Sequence, residues 1–176
     1  MLNTLKDLEI KVIGFDADDT LWENEDLFFE AQNEIKDILK QNSNNFDKEL
    51  LKTEKSNLNF YGYGIKGFIL SIIETSAKNP HEELKIESIN QIIKLGKKML
   101  NAPVNLIEDV EKVLSILSKK YKLILITKGD LLDQERKIKK SKLEKYFKYK
   151  KIVSEKNKQT YLKILDDLKI EPKNFL

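Results

Sequence analysis

Three carboxylates, Asp16, Asp18 and Asp19, fall within four residues at the end of a short apolar run, in VIGFDADDTLW from Val12 to Trp22. Like charges gathered that closely are costly unless a cation sits among them or one keeps a proton. A surface turn would scatter them into water; a site would hold them together. A second polar cluster, Thr127-Lys128-Gly129-Asp130, closes another apolar run, KLILIT. Its hydroxyl and backbone amides can receive an anionic oxygen. Lys156 and Lys158 follow a third β-prone run, KYKKIVS, and add positive charge. Carboxylates can act as nucleophiles or move protons, and their hard oxygens suit a divalent cation.

Other chemistries are closed off by composition. The chain has no cysteine, which excludes thiol catalysis, thiolate metal sites and disulfides. Its one histidine, His81, follows Pro80 in a polar stretch and reads as a surface loop residue, so a histidine-based triad has no base. Every basic residue except Arg136 is a lysine, so phosphate recognition must rely on lysines, hydroxyls and amides rather than guanidinium forks. With 40% hydrophobic and 35% charged residues, the 176-residue chain is apolar enough to fold and polar enough to stay dissolved. A formal charge of +3 is too even to suggest a nucleic-acid or membrane partner. The start, MLNTLKDLEI, lacks the apolar core of a signal peptide, and the runs GFILSII and LILIT are far too short to span a bilayer. A cytoplasmic protein is the expectation.

The elements that must position these residues follow from periodicity. KVIGFD, Lys11 to Asp16, is too continuously apolar to be half-exposed and predicts a buried strand. Leu27, Phe28, Ala31, Ile35, Ile38 and Leu39 recur at helical spacing between Glu23 and Gln41. Further helices are predicted over 47–58, 67–77 and 81–100, with FYGYGIKGF breaking the pattern between the first two. Pro103 closes that region. A helix over 107–118, a strand over 122–127, a helix over 132–141, a strand in KYKKIVS and a helix over 158–168 complete the chain. Strands alternating with helices imply a parallel sheet with right-handed crossovers. Ligands of such sheets sit beyond the carboxyl ends of the strands, where both polar clusters fall.

FDADDTLW resembles the first motif, D-x-D-x-T, of the haloacid dehalogenase (HAD) superfamily, placed after an apolar strand as in that family. LILITKG is similar to its second motif, and a lysine in VSEKNKQTYLKIL to its third. The likeness covers nearly the whole chain. It implies an α/β fold with a HAD-like Rossmannoid parallel sheet core, residues 1–21 and 103–176, interrupted by an all-helical cap over 22–102. It also implies Mg²⁺-dependent hydrolysis of a small phosphate monoester. Asp16 would be the nucleophile forming an aspartyl-phosphate, and Asp18 the general acid and base. The Thr127 hydroxyl and the Lys128 amide would bind the phosphoryl oxygens. Lys156 and Lys158 both qualify as the motif lysine; Lys156 is preferred because it directly follows the strand and Ser154-Glu155. The Asp16 side chain and the Asp18 carbonyl would hold the metal. Asp19 has no family role and reads as a turn residue. Asp18 also separates reaction types: expelled halide needs no proton, and dehalogenating members usually lack this aspartate, whereas an alkoxide needs one.

Two features depart from that pattern. The family's fourth motif, an acidic pair after the next strand, has no counterpart before EPKNFL. The missing strand would flank the nucleophile strand and supply further metal ligands. The expectation is a fragment of a longer protein, with an open strand edge from Lys11 to Asp16 that invites self-association. The alternative is a catalytically silent HAD-like binding domain. The second feature is the stretch from Arg136 to Lys151, with nine basic residues against Glu144 alone, a net +8, and Tyr146, Phe147 and Tyr149 interleaved. Such a stripe could bind nucleic acid through phosphates and stacking. Ile138, Leu143, Tyr146 and Phe147 read better as core-facing residues, with the lysines on the wet side. The aromatics from Trp22 to Phe68 read mostly as cap packing, with FYGYG a candidate substrate-selecting loop.

Overall fold

The computed structural model describes residues 9–40, 44–78 and 84–176. His81 lies outside them. The chain forms two compact units, Met1–Glu23 with Val104–Leu176, and Asn24–Pro103.

The first unit is built on three parallel strands, β1 (Val12–Phe15), β2 (Lys122–Lys128) and β3 (Tyr149–Val153), in the order β1-β2-β3. Ile13 lies opposite Leu123 and Phe15 opposite Leu125. The continuous apolar run of β2 is explained by helices on both faces. On one face Leu123 and Leu125 pack with Leu114 of α5 (Val110–Leu117), Ile138 of α6 (Leu131–Ser141), Leu143 and Phe147. On the other, Ile124 and Ile126 pack with Val12 and with Ile164 of α7 (Lys158–Asp167). Alternate residues of one strand therefore serve two apolar layers. Leu123 to Ile126 are all buried, and burying such a side chain contributes roughly 1.5–3 kcal/mol.

The open edge expected on the first strand is covered from Lys11 to Gly14. The Lys11 amide donates to the Asn174 carbonyl at 2.9 Å, the Leu176 amide to Val12 at 3.0 Å, and the Gly14 amide to Leu176 at 2.7 Å. Sequence periodicity missed this segment because it is only a few residues long, and it also missed the short 3₁₀ turns at Leu143–Tyr146 and Pro172–Asn174. Phe175 packs closely against Gly14: a Cβ there would stand 2.6 Å from the ring carbon Cζ. Gly14→Ala is expected to lower stability by about 1–3 kcal/mol through overpacking. The measurement is the urea midpoint, and an unchanged midpoint would mean that the ring yields freely.

The second unit is four helices, α1 (Glu25–Leu39), α2 (Asn44–Tyr61), α3 (Ile65–Ala77) and α4 (Ile86–Asn101). Ile35, Leu50, Ile72 and Ile92 form its fully buried centre, and Phe28 meets Phe68 edge to face at 5.2 Å. The break expected over FYGYGIKGF is narrower than the glycine count suggests. α2 runs on to Tyr61 and α3 begins at Ile65, because Gly67 sits buried inside the helix and only Gly62 and Gly64 take positive φ. Asp47 of α2 accepts from Gln32 Nε2 at 2.7 Å and Lys36 Nζ at 2.8 Å, both on α1. Partial burial pushes its carboxyl up, but those two donors outweigh it and hold the group below the ordinary aspartate value. Its contribution to stability is therefore complete above the unfolded pKa and is lost as pH falls through the folded one. Asp47→Asn should lower the melting temperature at pH 7, with the difference from the wild type shrinking as pH falls through the folded value.

No helix among the described residues is long and apolar enough to cross a membrane. In the lysine stripe, Lys137, Arg136, Lys145, Lys150 and Lys151 face the carboxylates of Asp18, Asp133, Glu111, Glu144 and Asp167. Ile138, Leu143 and Phe147 are buried.

Candidate active site

β1 ends at Phe15 and the chain turns at once. The Leu21 amide returns to the Ala17 carbonyl at 2.8 Å, and the Asp19 amide donates to the Trp22 carbonyl at 2.8 Å. Asp19 takes positive φ, which aspartate tolerates better than most residues. The turn is anchored because Leu21 and Trp22 are fully buried with Ala17, and the Ile107 amide binds the Leu21 carbonyl at 3.1 Å. Asp16 is left at the strand end, its side chain 47% exposed. Its Oδ1 accepts from the Ala17 amide at 2.7 Å and pairs with the Lys156 ammonium.

β2 ends beside it. With Phe15 opposite Leu125, Asp16 and Thr127 occupy the carboxyl ends of neighbouring strands within one residue of level. Thr127 is 1% exposed and its Oγ1 has no hydrogen-bond partner. Such an orphaned hydroxyl in a close-packed strand calls for an explanation, and a bound anion supplies one. Lys128 is half-buried, with its ammonium 3.8 Å from Glu155. Gly129 then takes φ 150°, and Asp130 caps α6 by accepting from the Asp133 amide at 3.0 Å. Lys156 and not Lys158 reaches Asp16; Lys158 is the first residue of α7, whose cap is Asn157.

Asp18 is held by α6. Its Oδ1 accepts from Trp22 Nε1 and Lys137 Nζ, each at 2.7 Å. Its Oδ2 accepts from Gln134 Nε2 at 2.7 Å and from Lys137 Nζ at 2.9 Å. Sequence reasoning singled out neither Gln134 nor Lys137. The available signal was their spacing of three on one helix face, adjoining the TKGD turn. The neighbouring Asp133 is buried, which pushes its carboxyl up against the pull of Lys137 and Arg136, with Asp130 and Asp18 adding to the rise. A raised carboxyl binds more protons folded than unfolded between the two pKa values, so its contribution falls as pH rises through that window. Asp133→Asn should thus gain on the wild type in melting temperature as pH rises from the unfolded value through the folded one, and a constant difference across that window would count against the burial effect.

Magnesium takes oxygen donors, and one or two carboxylates completed by water and phosphate oxygens suffice. The half-exposed Asp16 carboxylate and the Asp18 carbonyl fit that description. Among the described residues no three carboxylate or imidazole groups gather. These two would hold the ion from the protein side.

Comparison with known proteins matches this architecture. A haloacid dehalogenase-like family hydrolase from Xanthomonas campestris is 36% identical over 95% of this chain and 71% of its own, with a TM-score of 0.89. A 2-haloacid dehalogenase from Pseudomonas syringae is 17% identical, covering 94% and 76%, with a TM-score of 0.58. A predicted phosphoglycolate phosphatase from Haemophilus somnus is 19% identical, covering 95% and 75%, with a TM-score of 0.61. The last two share the fold alone. No curated protein matches the chain. The family described as haloacid dehalogenase-like hydrolase matches residues 10–176, and with the Xanthomonas likeness this establishes that the chain belongs to it.

Proposed function

We propose that the chain hydrolyses a small phosphate monoester through an aspartyl-phosphate on Asp16, with Mg²⁺ as cofactor. The observation that carries this reading is the exposed Asp16 carboxylate, paired with the Lys156 ammonium, next to the strand end where the buried Thr127 hydroxyl has no partner. An Asp16 oxygen attacks phosphorus and the ester P–O bond breaks. Asp18 gives a proton to the departing alkoxide, then takes one from the water that cleaves the acyl-phosphate and frees Asp16. Thr127 donates to a phosphoryl oxygen, and Lys156 balances the charge on the phosphoryl group. Bound magnesium supplies further neutralisation of those oxygens.

Asp18 favours phosphate ester over halide as leaving group, because only the alkoxide needs its proton. Fold neighbours of both kinds, a dehalogenase and a phosphatase, leave that choice to the site. A second reading, a silent binding domain, has its own support: both Asp18 oxygens are engaged by donors from within the chain. Purified protein with para-nitrophenyl phosphate and Mg²⁺ separates the readings. Nitrophenolate release that EDTA stops and Mg²⁺ restores is expected. Chloride release from 2-chloropropionate without phosphatase turnover would make it a dehalogenase, and neither activity would leave the binding domain.

A further inference from the structure

The four contacts on Asp18 fill the roughly four lone-pair positions that a carboxylate offers. They come from three side chains of different burial. Trp22 and Gln134 are 1% and 3% exposed, and both are fixed by packing. The Gln134 amide nitrogen is shared with the Lys128 carbonyl at 3.1 Å, which ties the Asp18 turn to the turn after β2. Its orientation follows from its partners, since a flipped amide would set oxygen against a carboxylate and a carbonyl. The cost is visible, for Gln134 Oε1 is buried with no partner. Gly129 makes room for this amide: a Cβ there would lie 2.8 Å from Gln134 Nε2. Lys137, on a flexible stem with its side chain 15% exposed, is the member able to withdraw.

We propose that Gln134 and Lys137 are positioning residues for proton transfer by Asp18. Gln134, with Trp22, fixes the aim of the carboxylate, and Lys137 spans both oxygens until one must give or take a proton. This rests on the phosphatase reading. A carboxylate with every lone pair engaged cannot accept a proton from water. When Asp18 carries a proton for the leaving oxygen, that oxygen also has one position fewer for donors. One contact must yield, and the two buried partners cannot.

The chain's single tryptophan gives a readout that needs no activity, because its indole N–H yields one cross-peak in a ¹⁵N–¹H spectrum. Lys137→Met and Gln134→Leu are expected to move that peak, while Lys139→Met, an exposed neighbour on the same helix, leaves it in place. Rapid-quench measurement of phosphoprotein formation then tests the role. With an alkyl phosphate, whose leaving group needs a proton, Lys137→Met should lose about tenfold or more, part of the ~10²–10⁴-fold that acid–base catalysis contributes. With para-nitrophenyl phosphate, whose anion leaves unaided, the loss should stay within about threefold on the same scale. Lys137→Arg, which keeps a cationic donor, should recover most of the alkyl rate. Equal losses with both esters, or an unmoved indole peak, would overturn the proposal. If the wild type forms phosphoprotein and Lys137→Met behaves like Lys139→Met, the positioning role alone falls. If the wild type forms none from either ester, the phosphatase reading falls and takes the role with it.

Discussion

Asp16→Asn is expected to cut phosphate ester turnover by at least about 10⁴-fold, the scale on which loss of a nucleophile acts in other covalent catalysts. The amide has the shape of the carboxylate but cannot form the acyl-phosphate, so no labelled protein should appear after acid quench with a ³²P ester. The fold should hardly notice. Asp16 is about half exposed, and its pair with Lys156 lies at the solvent edge, where such pairs contribute about 0–1 kcal/mol. A melting temperature within a few degrees of the wild type would therefore accompany the lost activity. Turnover that persists in the variant would place the nucleophile elsewhere, because no other carboxylate closes β1.

What the sequence made legible here were the groups whose chemistry depends on local spacing. Asp16 and Thr127 could be placed because each ends an uninterrupted apolar run, and parallel strands must bring such ends to one edge. The continuous run in β2 pointed to helices on both faces, and Leu123 and Ile124 divide between two apolar layers accordingly. Contacts between residues far apart in the chain were not legible. Lys137 lies 119 residues from the carboxylate it holds and sits in a lysine-rich helix, where composition suggests solvent rather than a partner. Gln134 looked like any polar helix residue until the fold brought it under Asp18. The covering of β1 by Asn174 to Leu176 was hidden for a different reason: three residues carry no periodicity, and the ring of Phe175 packs against Gly14, a residue with no side chain to signal it. Glycine count misled over FYGYGIKGF, since Gly67, inside α3, serves a close approach to Tyr61 and the Gly62 carbonyl rather than a turn.

Thr127→Val should separate stability from catalysis by moving them in opposite directions. Valine keeps the branched shape that fits a buried strand and removes only the hydroxyl. In the protein alone that hydroxyl is buried without a partner, an arrangement that costs about 1–3 kcal/mol when a polar group is left unsatisfied. Replacing it with a methyl group should leave stability unchanged or raise it, by up to about 1 kcal/mol in the urea midpoint, after part of that cost is offset by looser local fit. Activity should move the other way. If the hydroxyl donates to the phosphoryl oxygen as charge develops, its removal should lower kcat/KM by about 10²–10³-fold, the usual effect of deleting one preorganised donor. A stability loss would mean that the hydroxyl has a structural partner after all. Unchanged kcat/KM would mean that the phosphoryl group sits away from the end of β2, and the shared site of Asp16 and Thr127 would then have to be abandoned. A residue held in the core at a cost to folding, with its side-chain hydroxyl unmet, is what a site preorganised for an anion requires.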